Sequence, residues 1–334
     1  MVRDRDRDPP PTYPPVDLDV ALPAGFPAVH EAYRILRDQK DMVCGAYALT
    51  YLLHAYGQTE RDGVAISVDA VAAAAGTTLE PRNEARLAAV REAVAAGEVP
   101  PARAGLWYPH DHFAYDLATV EDEGGTSPHG LVVACEAASD GALTAIPVPA
   151  CRRDDAADGE ENEDGDAGAV QLTADRFADL LGAVCDGTLH AQVILNYNLA
   201  QTLAPASLLG HKYNLLALLT RWDDPDYFRR LNWDVGHFTT LAGRLTRGSS
   251  DTRYLLVRDS YRSFGWRGYH LQPEEAIHAG LVRADDHRDG GLLLVTPTRD
   301  VDDALAWLDS HDLETEAWDN GSAYKPRTRP FDNG

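Results

Sequence analysis

Two residues of this sequence, Cys44 and His237, lie at positions that are suited to covalent catalysis by a thiol. Cys44 precedes an apolar stretch that ends at Tyr56–Gly57, and its leucines recur at helical spacing. The first turn of a helix favours thiolate over thiol, because the helix dipole is positive there. His237 begins a second apolar stretch and could act as the base. Cys44 is therefore a candidate nucleophile, and an inert buried cysteine is the alternative.

A candidate partner for the histidine stands at the end of the next apolar stretch. Residues 246–251 have the composition of a hairpin turn, and His237 and Asp259 each lie eleven residues from Gly248. In an antiparallel hairpin such residues face each other, close enough for a carboxylate to hold an imidazole. The spacing predicts a Cys–His–Asp group, provided that no bulge shifts the register.

These segments together resemble a known peptidase family. They are similar to the papain-like cysteine peptidases that remove double-glycine leaders from bacteriocins, and to the free-standing relatives of those enzymes. The segments that carry the resemblance are Gln39 with Cys44-Gly45-Ala46 and the helix to Gly57, then Gly236-His237-Phe238, then Val257-Arg258-Asp259-Ser260-Tyr261.

The resemblance implies an α+β, papain-like fold, in which an N-terminal helix carrying the cysteine packs on an antiparallel sheet carrying histidine and aspartate. It implies Cys44 as nucleophile, His237 as base and Asp259 as the orienting acid. It also implies Gln39 as the oxyanion donor, although the family's glutamine usually stands six residues before the cysteine, where this chain has Asp38.

The expected function is that of a thiol hydrolase that cleaves a peptide or amide bond through a thioester intermediate, with a peptide or protein as substrate. The sequence does not separate hydrolysis from acyl transfer, which uses the same groups. Two alternatives are a catalytically inactive papain-like fold that binds a protein or peptide, and a structural protein with an acidic shell. No cofactor is expected, and the oligomeric state is left open.

The segments that must position these residues suggest one main domain, with an arm before it, an insertion within it and a short segment after it. We interpret residues 1–24 as a disordered or extended arm that is acidic and Pro-rich, and 25–298 as the papain-like domain. Because 193 positions separate Cys44 from His237, a large insertion is expected within about 58–190. It includes an acidic loop at 154–166, and a helix with a polar tail follows at 299–334.

Two shorter segments between the site residues predict a hairpin. Residues 131–134 and 143–148 are apolar, and Ser-Asp-Gly at 139–141 separates them. We interpret these segments as paired strands.

The charge of the chain argues against polyanionic partners. The formal net charge is -23, with 53 acidic and 30 basic residues. Such a chain repels phosphate backbones and anionic lipid, so neither nucleic acid nor a membrane surface is expected as partner. Only three of the basic residues are lysines. A halophilic origin in a salt-rich cytoplasm and a GC-rich genome both account for this composition.

The sequence gives no sign of a membrane span or a metal centre. No stretch approaches the ~18 uninterrupted apolar residues of a spanning helix, and residues 1–18 lack the apolar run of a secretory signal. A cytoplasmic protein with reduced cysteines is therefore expected. The cluster of His110, His112, Asp116 and His129 is explained by chance among twelve histidines, so no metal is expected.

Overall fold

A large antiparallel sheet forms the centre of the molecule. The computed structural model describes residues 17–35, 39–40, 42–81, 88–89, 92–93, 95–97, 113–121, 124–152, 169–203, 235–248, 250–262, 264–283 and 289–331. Seven strands pair in the order 269–273, 250–258, 236–247, 192–198, 291–297 and 143–149, with 18–21 on 236–247, and every pairing is antiparallel. The α+β class with an antiparallel sheet is confirmed.

The strands of this sheet are β1 (Leu18–Ala21), β6 (Leu143–Pro149), β7 (Gln192–Asn198), β8 (Gly236–Arg247), β9 (Ser250–Arg258), β10 (Tyr269–Pro273) and β11 (Gly291–Pro297). Two small sheets pair β2 (Glu60–Arg61) with β3 (Val64–Ala65), and β4 (Thr78–Leu79) with β5 (Ala118–Thr119).

The main helices are α1 (Phe26–Ile35), α2 (Cys44–Ala55), α3 (Val68–Ala74), α4 (Pro128–Ser139), α5 (Ala174–Cys185), α6 (Glu274–Val282) and α7 (Val301–Ser310). Within the described ranges, none of the helices has the length and hydropathy that crossing a membrane requires.

Helices cover both faces of the sheet, which explains why its central strands are apolar throughout. In β11, Leu293 and Val295 face the core that contains α1 to α4, whereas Leu292 and Leu294 face the core that contains α5 to α7. Successive strand residues point to opposite faces, so a strand buried on both sides needs an unbroken apolar run. The helix that begins at Cys44 lies on the first face.

The segment expected as an insertion is part of this architecture. It supplies β6 to the sheet, α3 and α4 to one face and α5 to the other. The acidic segment 154–166 lies outside the described residues. Within the predicted arm, Leu18–Ala21 pair with β8, so of the two predicted states, disordered or extended, these four residues adopt the extended one. β7 pairs only with residues 236–240 of β8, so the part of β8 near its turn has a free edge, and its backbone groups bind this segment.

The predicted hairpin at 131–148 is wrong in its first half, which is the helix α4. The Ser127 side chain accepts a hydrogen bond from the Gly130 N–H and caps the helix, and Pro128 occupies its first turn. Asp140 then ends the helix in the left-handed conformation. The apolar residues read as a strand instead form the buried face of this helix.

The described part of the C-terminal segment, up to residue 331, is anchored on the body of the protein. Trp318 and Phe331 are both buried in the α1–α4 core, and the Lys325 N–H donates to the Gly76 carbonyl. The two buried aromatic side chains are enough to anchor this extended segment, whose composition is otherwise polar.

Candidate functional site

Cys44 is the first residue of α2. Val43 is the N-cap residue, and the first hydrogen bond from the helix to that cap is donated by the Tyr47 N–H at 2.8 Å. The N–H groups of the helical residues before Tyr47 have no partner within the helix, and they point outward from its N-terminal end. Met42 has a φ of 65°, a conformation that costs free energy in a residue with a side chain. The turn into α2 therefore holds Cys44 at a defined helix start.

Gly45 allows this helix start to lie directly against the strand that carries His237. A Cβ at Gly45 would lie 3.1 Å from both Leu131 Cδ1 and Phe238 Cδ2, and 3.2 Å from Thr126 Cβ. Phe238 follows His237 on β8 and is buried. The absence of a side chain at residue 45 thus sets the distance between the Cys44 and His237 backbones.

We predict that Gly45→Ala destabilises the protein by about 1–3 kcal/mol and slows alkylation of Cys44, because the added methyl overpacks the contact with Phe238. Gly182→Ala in α5 is the matched control, since its Cβ would lie 3.5 Å from the nearest atom, an ordinary contact. It should stabilise by up to about 1 kcal/mol through helix propensity. Urea unfolding measures both, and equal effects of the two variants would contradict the packing argument.

His237 connects the thiol to a buried carboxylate. Its Nε2–H donates to Asp259, with distances of 3.2 Å to Oδ1 and 3.1 Å to Oδ2. The Cys44 side chain also interacts with the imidazole and helps to raise its pKa. Because Nε2 is used by Asp259, Nδ1 is the ring nitrogen that serves Cys44. Tyr261 stacks on the imidazole, with 5.9 Å between ring centroids.

The hairpin register differs from the predicted one, although the contact between His237 and Asp259 is formed. At the open end, Thr240 faces Arg258 and Leu241 faces Val257, and bulges interrupt the pairing at two places. This register is displaced by two residues from the one that the spacing predicted. A displacement of two preserves the face of every side chain, so Asp259 meets His237 as a diagonal neighbour.

Asp259 is fully buried and accepts hydrogen bonds from three N–H groups. The Tyr261 backbone donates at 2.8 Å, His237 Nε2 at 3.1 Å and His270 Nε2 at 3.4 Å. Burial by itself would raise the pKa of Asp259. The charge of His237 and the hydrogen bonds from both histidines outweigh burial and lower the pKa below its usual range. The site therefore contains a carboxylate rather than a carboxylic acid.

The pKa of the His237 imidazole depends on the same interaction with Asp259. Burial favours its neutral form and lowers its pKa, but the Asp259 charge, the hydrogen bond to Asp259 and the contact with Cys44 raise it more. The net result is a pKa of about 10 for His237. An imidazolium therefore faces Cys44 at neutral pH.

Gln39 is buried beside the segment that follows Asp259. Its backbone N–H donates to the Ser260 carbonyl at 3.3 Å, and its Oε1 accepts a hydrogen bond from the Ser260 hydroxyl. This arrangement occupies the amide oxygen and leaves Nε2 as the donor that an oxyanion would require. The structure thus links Gln39 to the Asp259 turn, and its role as oxyanion donor stays a prediction.

His270 belongs to this site and was missed from the sequence. It lies on β10, pairs with Val257 of β9 and is buried. Its ring approaches Asp259 only because a third strand joins the hairpin. The one local signal was the alternation of polar residues in His270-Leu271-Gln272, which places His270 and Gln272 on the same face of a strand.

The other three cysteines are buried in the apolar cores. Burial raises the pKa of Cys135 to about 12 and that of Cys185 to about 11, and it also raises the pKa of Cys151. Cys44 is the partly exposed one of the four. Among the residues that the structure describes, no three acidic, histidine or cysteine side chains form a group that could hold a metal ion. His110 and His112 lie outside these residues.

The chain belongs to a family of unknown function, DUF6885, which matches residues 23–319. This match includes every residue of the site, from Gln39 to Gln272. No curated protein and no solved structure matches the chain.

Proposed function

We propose that this protein is a thiol hydrolase of papain-like architecture that cleaves a peptide or amide bond. Cys44 is the nucleophile, His237 the base and acid, and Asp259 the group that orients His237. The single observation that carries the proposal is that the imidazole of His237 joins the thiol at the start of α2 to a buried carboxylate. This is the relation that an activated nucleophile requires.

The geometry supports the following reaction. The Cys44 thiolate attacks the substrate carbonyl carbon, and the oxyanion that forms meets the N–H groups at the start of α2 and the Gln39 amide. His237 then transfers its Nδ1 proton to the leaving amine, and the C–N bond breaks to give a thioester. Water attacks the thioester while His237 takes up its proton, which releases the acid and restores the thiolate–imidazolium pair.

The arrangement of helix and sheet agrees with the resemblance to double-glycine leader peptidases. The cysteine helix packs on the strand that carries the histidine, and the aspartate follows the neighbouring strand. A peptide is therefore the preferred substrate. The retained thiol, base and carboxylate favour catalysis over the alternative of an inactive peptide-binding module.

Alkylation with iodoacetamide tests the proposal without a known substrate. Cys44 should react at pH 6 about 100-fold faster than a model thiol, because a thiol with a pKa of about 8.5 is less than about 1% ionised there. Peptide mapping by mass spectrometry identifies the labelled cysteine, and Cys44→Ala is the control for labelling elsewhere.

Exposure alone would also make Cys44 the first cysteine to react, so the order of labelling is not the criterion. The criterion is the ratio of its rate to that of the model thiol at pH 6. A ratio near one would reject the thiol hydrolase and favour the binding module.

A further inference from the structure

We propose that His270 is a positioning residue of this site: Gln272 holds it in the neutral form protonated at Nε2, and it donates to Asp259 so that the carboxylate stays aimed at His237. The proposal rests on the proposed function and assigns a task to a buried histidine that the reaction itself does not use.

The argument begins with Gln272, because the backbone fixes the orientation of its amide. Gln272 Oε1 accepts from the Leu203 N–H at 2.8 Å, and its Nε2 donates to the Leu203 carbonyl at 2.8 Å. A backbone N–H can only donate and a backbone carbonyl can only accept. The amide oxygen and nitrogen of Gln272 are therefore assigned by their partners.

This assignment determines the protonation of His270. The Gln272 Nε2 lies 3.0 Å from His270 Nδ1 and directs an N–H at it. Nδ1 must then accept, so it carries no proton, and the proton of the neutral ring lies on Nε2. That nitrogen faces Asp259 Oδ2 at 3.4 Å. Gln272 thus makes His270 a donor toward the carboxylate.

The two histidines differ in their contact with the carboxylate. Asp259 and the side chain of His270 are inaccessible to solvent, and His237 is nearly so. His237 forms the shorter contact with Asp259, 3.1 Å against 3.4 Å, and it faces the thiol, so the imidazolium of the site is assigned to His237.

The consequence for Asp259 is geometric. With His237 alone, the carboxylate could rotate about its χ2 angle and still keep one hydrogen bond. The Tyr261 N–H on Oδ1 and the His270 Nε2–H on Oδ2 hold one oxygen each. His237 therefore meets a carboxylate of fixed orientation, and its Nδ1 is kept toward Cys44. His270 acts through Asp259 and does not touch the reacting atoms.

The protonation state can be measured in the wild-type protein by nitrogen NMR of ¹⁵N-histidine-labelled samples at pH 7, with assignment by loss of the signal in His270→Gln. We expect the pattern of a neutral ring protonated at Nε2. A ring protonated at Nδ1, or at both nitrogens, would overturn the proposal. This readout does not depend on whether Cys44 is reactive.

Two variants that differ by one methylene test the positioning. The amide of His270→Gln can reach Asp259 from the position of Nε2, whereas that of His270→Asn can face Gln272 but ends short of Asp259. We expect Cys44 alkylation in the Gln variant to stay within about threefold of wild type, and in the Asn variant to fall at least about tenfold, as for loss of a hydrogen bond to a charged group.

The outcomes separate the two proposals. Equal, wild-type rates in both variants would overturn the role of His270 while leaving the thiol hydrolase intact. A wild-type Cys44 that reacts no faster than a model thiol would reject the hydrolase, and the nitrogen spectrum would still decide the state of His270. Circular dichroism establishes that both variants fold, and a folded Asn variant with a slow Cys44 supports positioning.

Discussion

Replacing His237 with glutamine is expected to slow the alkylation of Cys44 about 100-fold at pH 6. In the wild type, the raised pKa of His237 keeps an imidazolium beside the sulfur at this pH. A glutamine amide is neutral at every pH, so the variant lacks the cation that the proposed mechanism places beside the thiol, and an ordinary thiol has only a small thiolate fraction at pH 6. The difference should shrink toward pH 9, where an ordinary thiol is itself largely ionised.

Glutamine is chosen because removing the whole side chain would leave the buried Asp259 carboxylate without its main partner, which costs about 3–5 kcal/mol. The amide of Gln can still donate to that carboxylate. His190→Gln is the matched control: His190 also bonds an aspartate, Asp300, at 2.7 Å, but it is exposed. A His237→Gln protein that is folded and alkylated at the wild-type rate would exclude His237 as the activating base.

Local patterns selected Cys44, His237 and Asp259 as candidates, and the fold brings His237 and Asp259 into contact. Each stands at the boundary of an apolar run, and boundaries between a regular element and a turn are where polar groups can leave the core. The hairpin spacing also placed His237 and Asp259 on one face. The register itself was wrong by two residues, because bulges depend on packing against β1 and β7 rather than on the hairpin sequence.

Features that depend on distant parts of the chain could not be predicted. His270 reaches Asp259 through the register of β10, and Gln272 is oriented by Leu203, 69 residues away. The packing of Trp318 likewise depends on Asn196, whose side-chain oxygen accepts from the indole N–H at 3.1 Å. Such contacts have no periodicity along the sequence, so only the folded topology shows them.

The His237–Asp259 pair should make the stability of the protein depend on pH in a defined window. The folded pKa of His237 is raised from 6.5 to about 10, so its contribution is complete below pH 6.5 and is lost as the pH rises to about 10. The pKa of Asp259 is lowered from 3.8, so its contribution is complete above about pH 4 and is lost in acid. The pair therefore stabilises most between about pH 4 and 6.5.

Urea unfolding of the wild type and of His237→Gln at pH 5, 7 and 9 measures this effect. The excess stability of the wild type should be greatest at pH 5 and should fall by about 1.4 kcal/mol per pH unit above pH 6.5. Taking the difference between the two proteins removes the titration of all other groups, including the growing self-repulsion of a chain with a net charge of -23.

The exposed His190–Asp300 pair again supplies the control, because solvent screens it and His190→Gln should change the profile little. A difference between wild type and His237→Gln that does not vary from pH 5 to pH 9 would mean that folding leaves the pKa of His237 at its ordinary value, and a difference that rises from pH 5 to pH 7 would mean that the folded ring is neutral. In either case Cys44 would face a largely neutral imidazole above pH 7, and the thiolate–imidazolium pair would have no basis.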